Sequence, residues 1–264
     1  MDLSNRLSGH VVFVTGGGSG LGRGACQRIA AEGGAVAVAD VRAELARQTA
    51  DEIRADGGRA VALTCDVADE VQVAAAIDET VSEFGSLTGL VANAGTSGSG
   101  WIHELSLEDW HFVLGVNLTG AFLCAKHAIP HMIEAGHGSV VVTASIAASV
   151  IGAGGSAVSY AVSKAGLVQL ARQIAVDYGS QGIRANAIQP AGIEGSNLGR
   201  HVAEDIEHHT TPRAKLPRPR PWLPIRRAGR ARDEYGATVA FLLSDDAGYI
   251  TGAAIPVDGG YLAT

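Results

Sequence analysis

Cysteine is scarce in this chain: Cys26, Cys65 and Cys124 are the only three in 264 residues, and they lie far apart. Their number and spacing exclude a disulfide framework or a thiolate metal site and suit reduced core residues in a reducing compartment. Aromatic residues are few (5%) and the net charge is −7. A nucleic-acid platform or a cationic membrane-binding face is therefore not expected. The opening Met-Asp-Leu-Ser-Asn-Arg lacks an apolar signal stretch, and no apolar run approaches a membrane span. His208-His209 has no spaced third ligand, so no metal is expected either. These absences leave a cytoplasmic protein with a small-molecule partner as the expectation.

Glycine and aliphatic residues, by contrast, are plentiful: 35 glycines, and 47% of the chain is hydrophobic. Short β-branched and alanine-rich runs predict strands at 10–15, 35–40, 60–64, 89–93, 139–145, 183–189 and 254–257. Amphipathic patterns predict helices at 21–32, 43–56, 70–84, 107–134, 160–180 and 232–243. Uninterrupted apolar strands alternating with helices indicate one α/β domain, 1–264, whose doubly wound parallel sheet is covered on both faces. Ligands of such sheets bind at the carboxyl ends of the strands.

The first predicted strand runs into Thr15-Gly16-Gly17-Gly18-Ser19-Gly20-Leu21-Gly22 and then a helix. Glycines there let the chain turn sharply and bring N–H groups and a helix N-terminus against a pyrophosphate, although a tight turn without a ligand needs glycines too. No Lys-Ser/Thr pair follows, which argues against a P-loop. Asp40 ends the second strand. It suits an adenosine ribose and repels a 2′-phosphate, favouring NAD over NADP; alternatively it caps the next helix. Arg23 and Arg42 are cations able to soften that repulsion. Asp66 stands in a similar position, either against adenine or capping a turn.

Tyr160 and Lys164, four apart, share a helix face. A free tyrosine titrates near 10, and lowering that by roughly three units takes about 4 kcal/mol, which a lysine and a cationic nicotinamide together can supply. Ser145, at the end of the fifth predicted strand, points to the same rim and can bond a substrate oxygen. Asn117 lies within the apolar stripe Trp110, Val113, Leu114, Ala121, Cys124. As a buried amide it needs partners, either a backbone carbonyl or a water relaying protons to Lys164.

Taken together, Thr15–Gly22, Ala92-Asn93-Ala94-Gly95, Asn117, Ser145, Tyr160-x-x-x-Lys164 and the ending Ile250-Thr251-Gly252 … Val257-Asp258-Gly259-Gly260 resemble the short-chain dehydrogenase/reductase family over nearly the whole chain. The resemblance implies a seven-stranded Rossmann-type fold and NAD(P)-dependent interconversion of a secondary alcohol and a ketone. It implies Tyr160 as acid/base, Lys164 as the group that lowers its pKa, Ser145 as the substrate-orienting hydroxyl and Asn117 as the relay amide. Cofactor contacts are implied at Gly16, Ser19, Gly20, Leu21, Gly22, Asp40, Asp66, Val67, Asn93, Ala94, Gly95, Tyr160, Lys164, Pro190 and Ile193. A homotetramer built through the helices bearing Asn117 and Tyr160 is also implied. Three features depart from the family pattern. Ala92 replaces a usual asparagine; the segment 145–160 is slightly long, leaving Ser149 as an alternative serine; and after Pro190-Ala191-Gly192 the usual threonine is missing, with Ser196 one residue further on.

Residues 192–230 correspond to the family's substrate lid. Five of the eight prolines fall there, among Arg213, Lys215, Arg218, Arg220, Arg226, Arg227 and Arg230. Such prolines preclude a helix and keep the backbone extended. The stretch is either a solvated or subunit-docked arm or a recognition site for an anionic substrate through arginine. A non-catalytic dinucleotide-binding regulator is the competing reading, opposed by the complete tetrad. An enoyl reductase of this fold usually spaces tyrosine and lysine further apart.

Overall fold

The structure, a computed structural model, describes residues 5–98, 100–151, 157–195 and 223–264. Its seven strands are β1 (Val11–Thr15), β2 (Ala35–Asp40), β3 (Arg59–Thr64), β4 (Gly89–Ala92), β5 (Gly138–Thr143), β6 (Ile183–Pro190) and β7 (Ala254–Val257). They form one sheet in the order β3-β2-β1-β4-β5-β6-β7 with every pairing parallel. The fold is therefore the doubly wound one expected.

Alternation along each strand divides the core in two. Val11 and Phe13 of β1 and Ala35, Ala37 and Ala39 of β2 face one apolar cluster, while Val12, Val14, Val36 and Val38 face the other. The first cluster is closed by α3 (Glu70–Phe84), α5 (Gly120–Ala135) and α6 (Val158–Tyr178), and the second by α1 (Gly20–Ala31), α2 (Ala43–Ala55) and α7 (Gly236–Leu243). A strand buried on both faces has no polar side to show, which is why these runs read as continuously apolar. Helix ends follow local chemistry. For α3, Asp69 accepts the N–H groups of Val71 and Gln72, and Gly85 at φ +84° ends it in the left-handed region.

The long helix expected at 107–134 spans Leu107–Ala135, as α4 (Leu107–Leu114), a π turn (Gly115–Thr119) and α5. It has the length and apolarity of a membrane span, yet half of its most apolar window is buried within this fold, as in a core helix. All three cysteines are buried and unpaired. Burial pushes the Cys65 thiol up to about 11 and raises Cys26 and Cys124 further.

β1 and β4 are neighbours from which the chain winds in opposite directions, so a crevice opens at their carboxyl ends. Above β6, Ile193 and Gly229 form a parallel bridge, with N–H···O distances of 2.8 Å from Glu194 to Gly229 and 3.0 Å from Gly229 to Gly192. The base of the expected lid is thereby fixed to the rim. Ser196, His208, His209, Arg213, Lys215, Arg218 and Arg220 lie outside the described residues.

Candidate active site

The glycine loop packs onto itself. Thr15 at the end of β1 accepts the N–H groups of Asn93 and Ala94 through its hydroxyl, each at 3.0 Å, joining the tips of β1 and β4. Gly16 and Gly20 take φ of +64° and +54°. A Cβ on Gly22 would lie 2.1 Å from the Gly16 carbonyl oxygen, and one on Gly18 would lie 2.9 Å from Asp40 Oδ2. Side chains are thus excluded by the fold itself. Ser19, at the N-cap of α1, makes no side-chain cap bond, so the hydroxyl leaves the first N–H groups of the helix for a ligand phosphate. These residues fit a dinucleotide.

Asp40 is buried and its carboxylate is bonded locally, without capping the helix that follows. Oδ2 accepts the Gly18 N–H at 3.0 Å, and Oδ1 accepts the Arg42 N–H at 3.0 Å. Of the two candidate cations beside it, Arg23 is engaged by Glu52, with Nη2 2.6 Å from Oε2. Arg42 stays close, 3.5 Å from Asp40 Oδ1, and donates to Ser19 Oγ at 3.0 Å. Asp66 caps its own turn by accepting the Ala68 N–H at 2.9 Å. Val67 directs its side chain into the core, where a Cβ on Gly120 would come within 2.7 Å of it. Only the Val67 backbone is left to face a ligand.

The chemical wall lies opposite. The fifth strand ends at Thr143, two residues earlier than Ser145. Ser145 instead caps a short turn, accepting the Ala147 N–H at 3.1 Å. It nonetheless lines, with Tyr160 and Lys164, a cavity of about 280 Å3 that Leu21, Asn93, Pro190 and Ile193 also border. Ser149 accepts from Gln189 at 2.7 Å and is not part of that lining. A second cavity of about 500 Å3 shares Ala191 and Ile193 with the first and extends under Leu223 and Ile225.

Near its start, α6 sets Tyr160 and Lys164 one turn apart. Lys164 is buried, donates from Nζ to the Thr143 carbonyl at 2.7 Å, and stands 5.6 Å from the centre of the Tyr160 ring. Burial lowers its ammonium to about 8. Burial also raises the Tyr160 phenol, against a smaller lowering by its hydrogen bond with Ser145. In the protein alone, then, desolvation outweighs the Ser145 hydrogen bond and holds the phenol above its ordinary range.

Asn117 sits on the π turn and is buried. Its Oδ1 accepts the Thr96 N–H at 2.7 Å, and its Nδ2 donates to the Thr96 carbonyl at 2.9 Å and to Ser163 Oγ at 3.0 Å. The amide therefore clamps the loop after β4 to α6. Gly95 lies between Asn117 and Lys164: a Cβ there would be 3.3 Å from Asn117 Oδ1 and 3.4 Å from Lys164 Nζ. Asn93 Nδ2 donates to the Thr15 carbonyl at 2.9 Å. Thr143 lines the site, Tyr235 is buried against it, and neither was among the sequence candidates. Thr143 could have been found as the polar residue that ends the fifth strand; Tyr235 carries no sequence signal.

Comparison with known proteins fits this geometry. Residues 16–262 match a family described as enoyl-(acyl carrier protein) reductase. A cis-4-hydroxycyclohexanecarboxylate dehydrogenase of Sinomonas cyclohexanicum is 41% identical over 96% of both chains. A 2-(S)-hydroxypropyl-CoM dehydrogenase of Xanthobacter autotrophicus is 36% identical over 99% of this chain and all of its own. Among solved structures, a short-chain type dehydrogenase/reductase from Mycobacterium marinum superposes with a TM-score of 0.88 at 30% identity, covering 100% of this chain and 99% of that one. Both named relatives are dehydrogenases, in keeping with the four-residue Tyr160–Lys164 spacing. The chain belongs to the short-chain dehydrogenase/reductase family and is an oxidoreductase of CH–OH groups that uses a nicotinamide dinucleotide.

Proposed function

We propose that this enzyme prefers NAD and interconverts a secondary, cyclic or hydroxylated carbinol with its ketone, with Tyr160 as the acid/base. The observation carrying this reading is the 280 Å3 cavity, lined by Ser145, Tyr160 and Lys164 together with Leu21 of the glycine loop. When bound, the nicotinamide accepts or supplies hydride and, oxidised, adds positive charge. Ser145 orients the substrate oxygen by hydrogen bonding to it. Tyr160 takes the hydroxyl proton in oxidation and returns it in reduction. Lys164, held by the Thr143 carbonyl, favours the phenolate. Because burial alone raises this phenol, the bound cofactor's charge is the second requirement for acidity near neutrality. Asn117 holds the loop after β4 beside Lys164.

NAD preference rests on the buried Asp40 carboxylate, whose charge opposes a 2′-phosphate; Arg42 moderates the preference. The names of the relatives, a cis-4-hydroxycyclohexanecarboxylate and a 2-(S)-hydroxypropyl-CoM dehydrogenase, support a secondary carbinol. A panel of cyclic and vicinal secondary alcohols, followed by NADH or NADPH absorbance, tests both parts. Turnover with NAD at least about tenfold better than with NADP is expected. Oxidation of primary alcohols alone, or equal use of both cofactors, would contradict the reading.

The outer faces of α4–α5 and α6 expose Phe112 (59%), Phe122 (49%), Val162 (43%) and Val176 (79%). Exposed apolar side chains on these helices support a homotetramer assembled through them. Sedimentation of Phe122→Glu is expected to give smaller species, and an unchanged tetramer would refute that interface. Three unpaired buried thiols are consistent with a cytoplasmic protein.

A further inference from the structure

Below the catalytic wall lies a buried hydroxyl contact that the reaction, as described, does not use. Tyr235 is among the largest side chains with no exposed surface. It ends a π turn, Ala231–Tyr235, that leads from the rim into α7. That turn is pressed against α1: a Cβ on Gly24 would lie 2.6 Å from the Ala231 carbonyl carbon, and one on Gly236 would lie 2.9 Å from the Gly24 carbonyl oxygen. With its backbone held there, the ring reaches beneath the strand ends. Its hydroxyl lies 2.6 Å from Thr143 Oγ1 and 3.3 Å from Asn93 Oδ1. Asn93 Oδ1 can only accept, and Thr143 Oγ1 is 3.4 Å from it. One hydroxyl must donate to the other, which in turn donates to the amide oxygen. Both hydroxyls are thereby satisfied, and the Thr143 side chain is pinned from below.

Thr143 is also the residue whose carbonyl receives the Lys164 ammonium at 2.7 Å. We propose that Tyr235 is a positioning residue for catalysis, fixing Thr143 so that its carbonyl holds Lys164 in place beside Tyr160. A phenylalanine would fill nearly the same volume in the second core cluster, so filling space does not require a hydroxyl here. The contact is chemically specific: the hydroxyl bonds across 92 residues of sequence to the strand end that bears the lysine's acceptor. Lys164 supplies the charge against the Tyr160 ring, and any loosening of that ammonium is felt at the phenol.

The inference rests on the acid/base reading of Tyr160 and Lys164. Its test is a titration of the Tyr160 phenolate by absorbance near 295 nm in the NAD complex. Each protein is corrected by subtracting the matching Tyr160→Phe variant, which cancels the other tyrosines. Tyr235→Phe keeps the buried ring and deletes only the hydroxyl. It should move the Tyr160 midpoint up by about one pH unit, and the alkaline-rising limb of kcat should move with it, while the melting temperature and the KM for NAD stay close to wild type. Thr143→Val cuts the same bond from the other side and should give the same displacement, and Thr143→Ser should restore the original midpoint. If Tyr235→Phe folds too poorly to titrate, Thr143→Val and Thr143→Ser decide the matter alone. A lowered wild-type midpoint that neither deletion moves would overturn the positioning role and leave the acid/base reading intact. A wild-type midpoint in the ordinary phenol range would overturn both.

Discussion

Two buried or half-buried cations in this molecule donate to backbone carbonyls, and they do opposite jobs. Arg184, near the amino end of β6, donates to the carbonyls of Leu242 (2.8 Å), Ser244 (3.0 Å), and Leu243 and Ile250 (both 3.5 Å). It gathers the end of α7 and the turn after it, where a helix leaves carbonyls without partners. Lys164, at the opposite rim, is buried and donates to the Thr143 carbonyl. Burial lowers both groups, but the lysine falls to about 8. A guanidinium cannot be deprotonated in practice and makes a good clamp, whereas an under-partnered ammonium is held at an energetic cost that its neighbour can exploit.

That contrast can be broken most sharply at Lys164. Lys164→Met should lower kcat/KM by roughly 10^3-fold, about 4 kcal/mol of transition-state stabilisation, in a steady-state assay. Arg184→Met should leave kcat within about twofold but cost about 1–3 kcal/mol in urea unfolding, because the end of α7 loses its charged clamp, although Leu242, Ser244 and Ile250 each keep another donor. The smallest effect carries the opposite sign. A lysine whose folded value is lowered disfavours the fold most below about pH 8, and that penalty disappears as pH rises toward its ordinary 10.5. Lys164→Met should accordingly be more stable than wild type by roughly 1–3 kcal/mol at pH 7, with the gain vanishing near pH 10.5. A gain independent of pH would assign the effect to packing instead of charge.

The sheet was legible because strands buried on both faces cannot hide their apolar character, and the glycine loop because steric exclusion admits no other residue at Gly18 or Gly22. Boundaries slipped where polar side chains took over from the ladder: residues 139–145 looked like one strand, but Ser145 lies past it, capping a turn. Tyr235 was invisible, since its role depends on a π turn and on contacts 92 and 142 residues away. Acidification of Tyr160 by Lys164 together with a cationic nicotinamide was inferred from spacing, which contains no information about desolvation; burial raises the phenol in the protein alone. Asn117 was recognised as a buried amide needing partners, yet its choice of Thr96 and Ser163 is a property of the folded loop.

The central claim is that the Tyr160 hydroxyl, and no other group, exchanges the proton of the reacting carbinol. Tyr160→Phe, assayed on the best alcohol from the panel and titrated with NADH by fluorescence, tests it most directly. Turnover reduced by about 10^3-fold or more with NADH affinity changed less than about threefold is the predicted result. Turnover close to wild type would contradict the account.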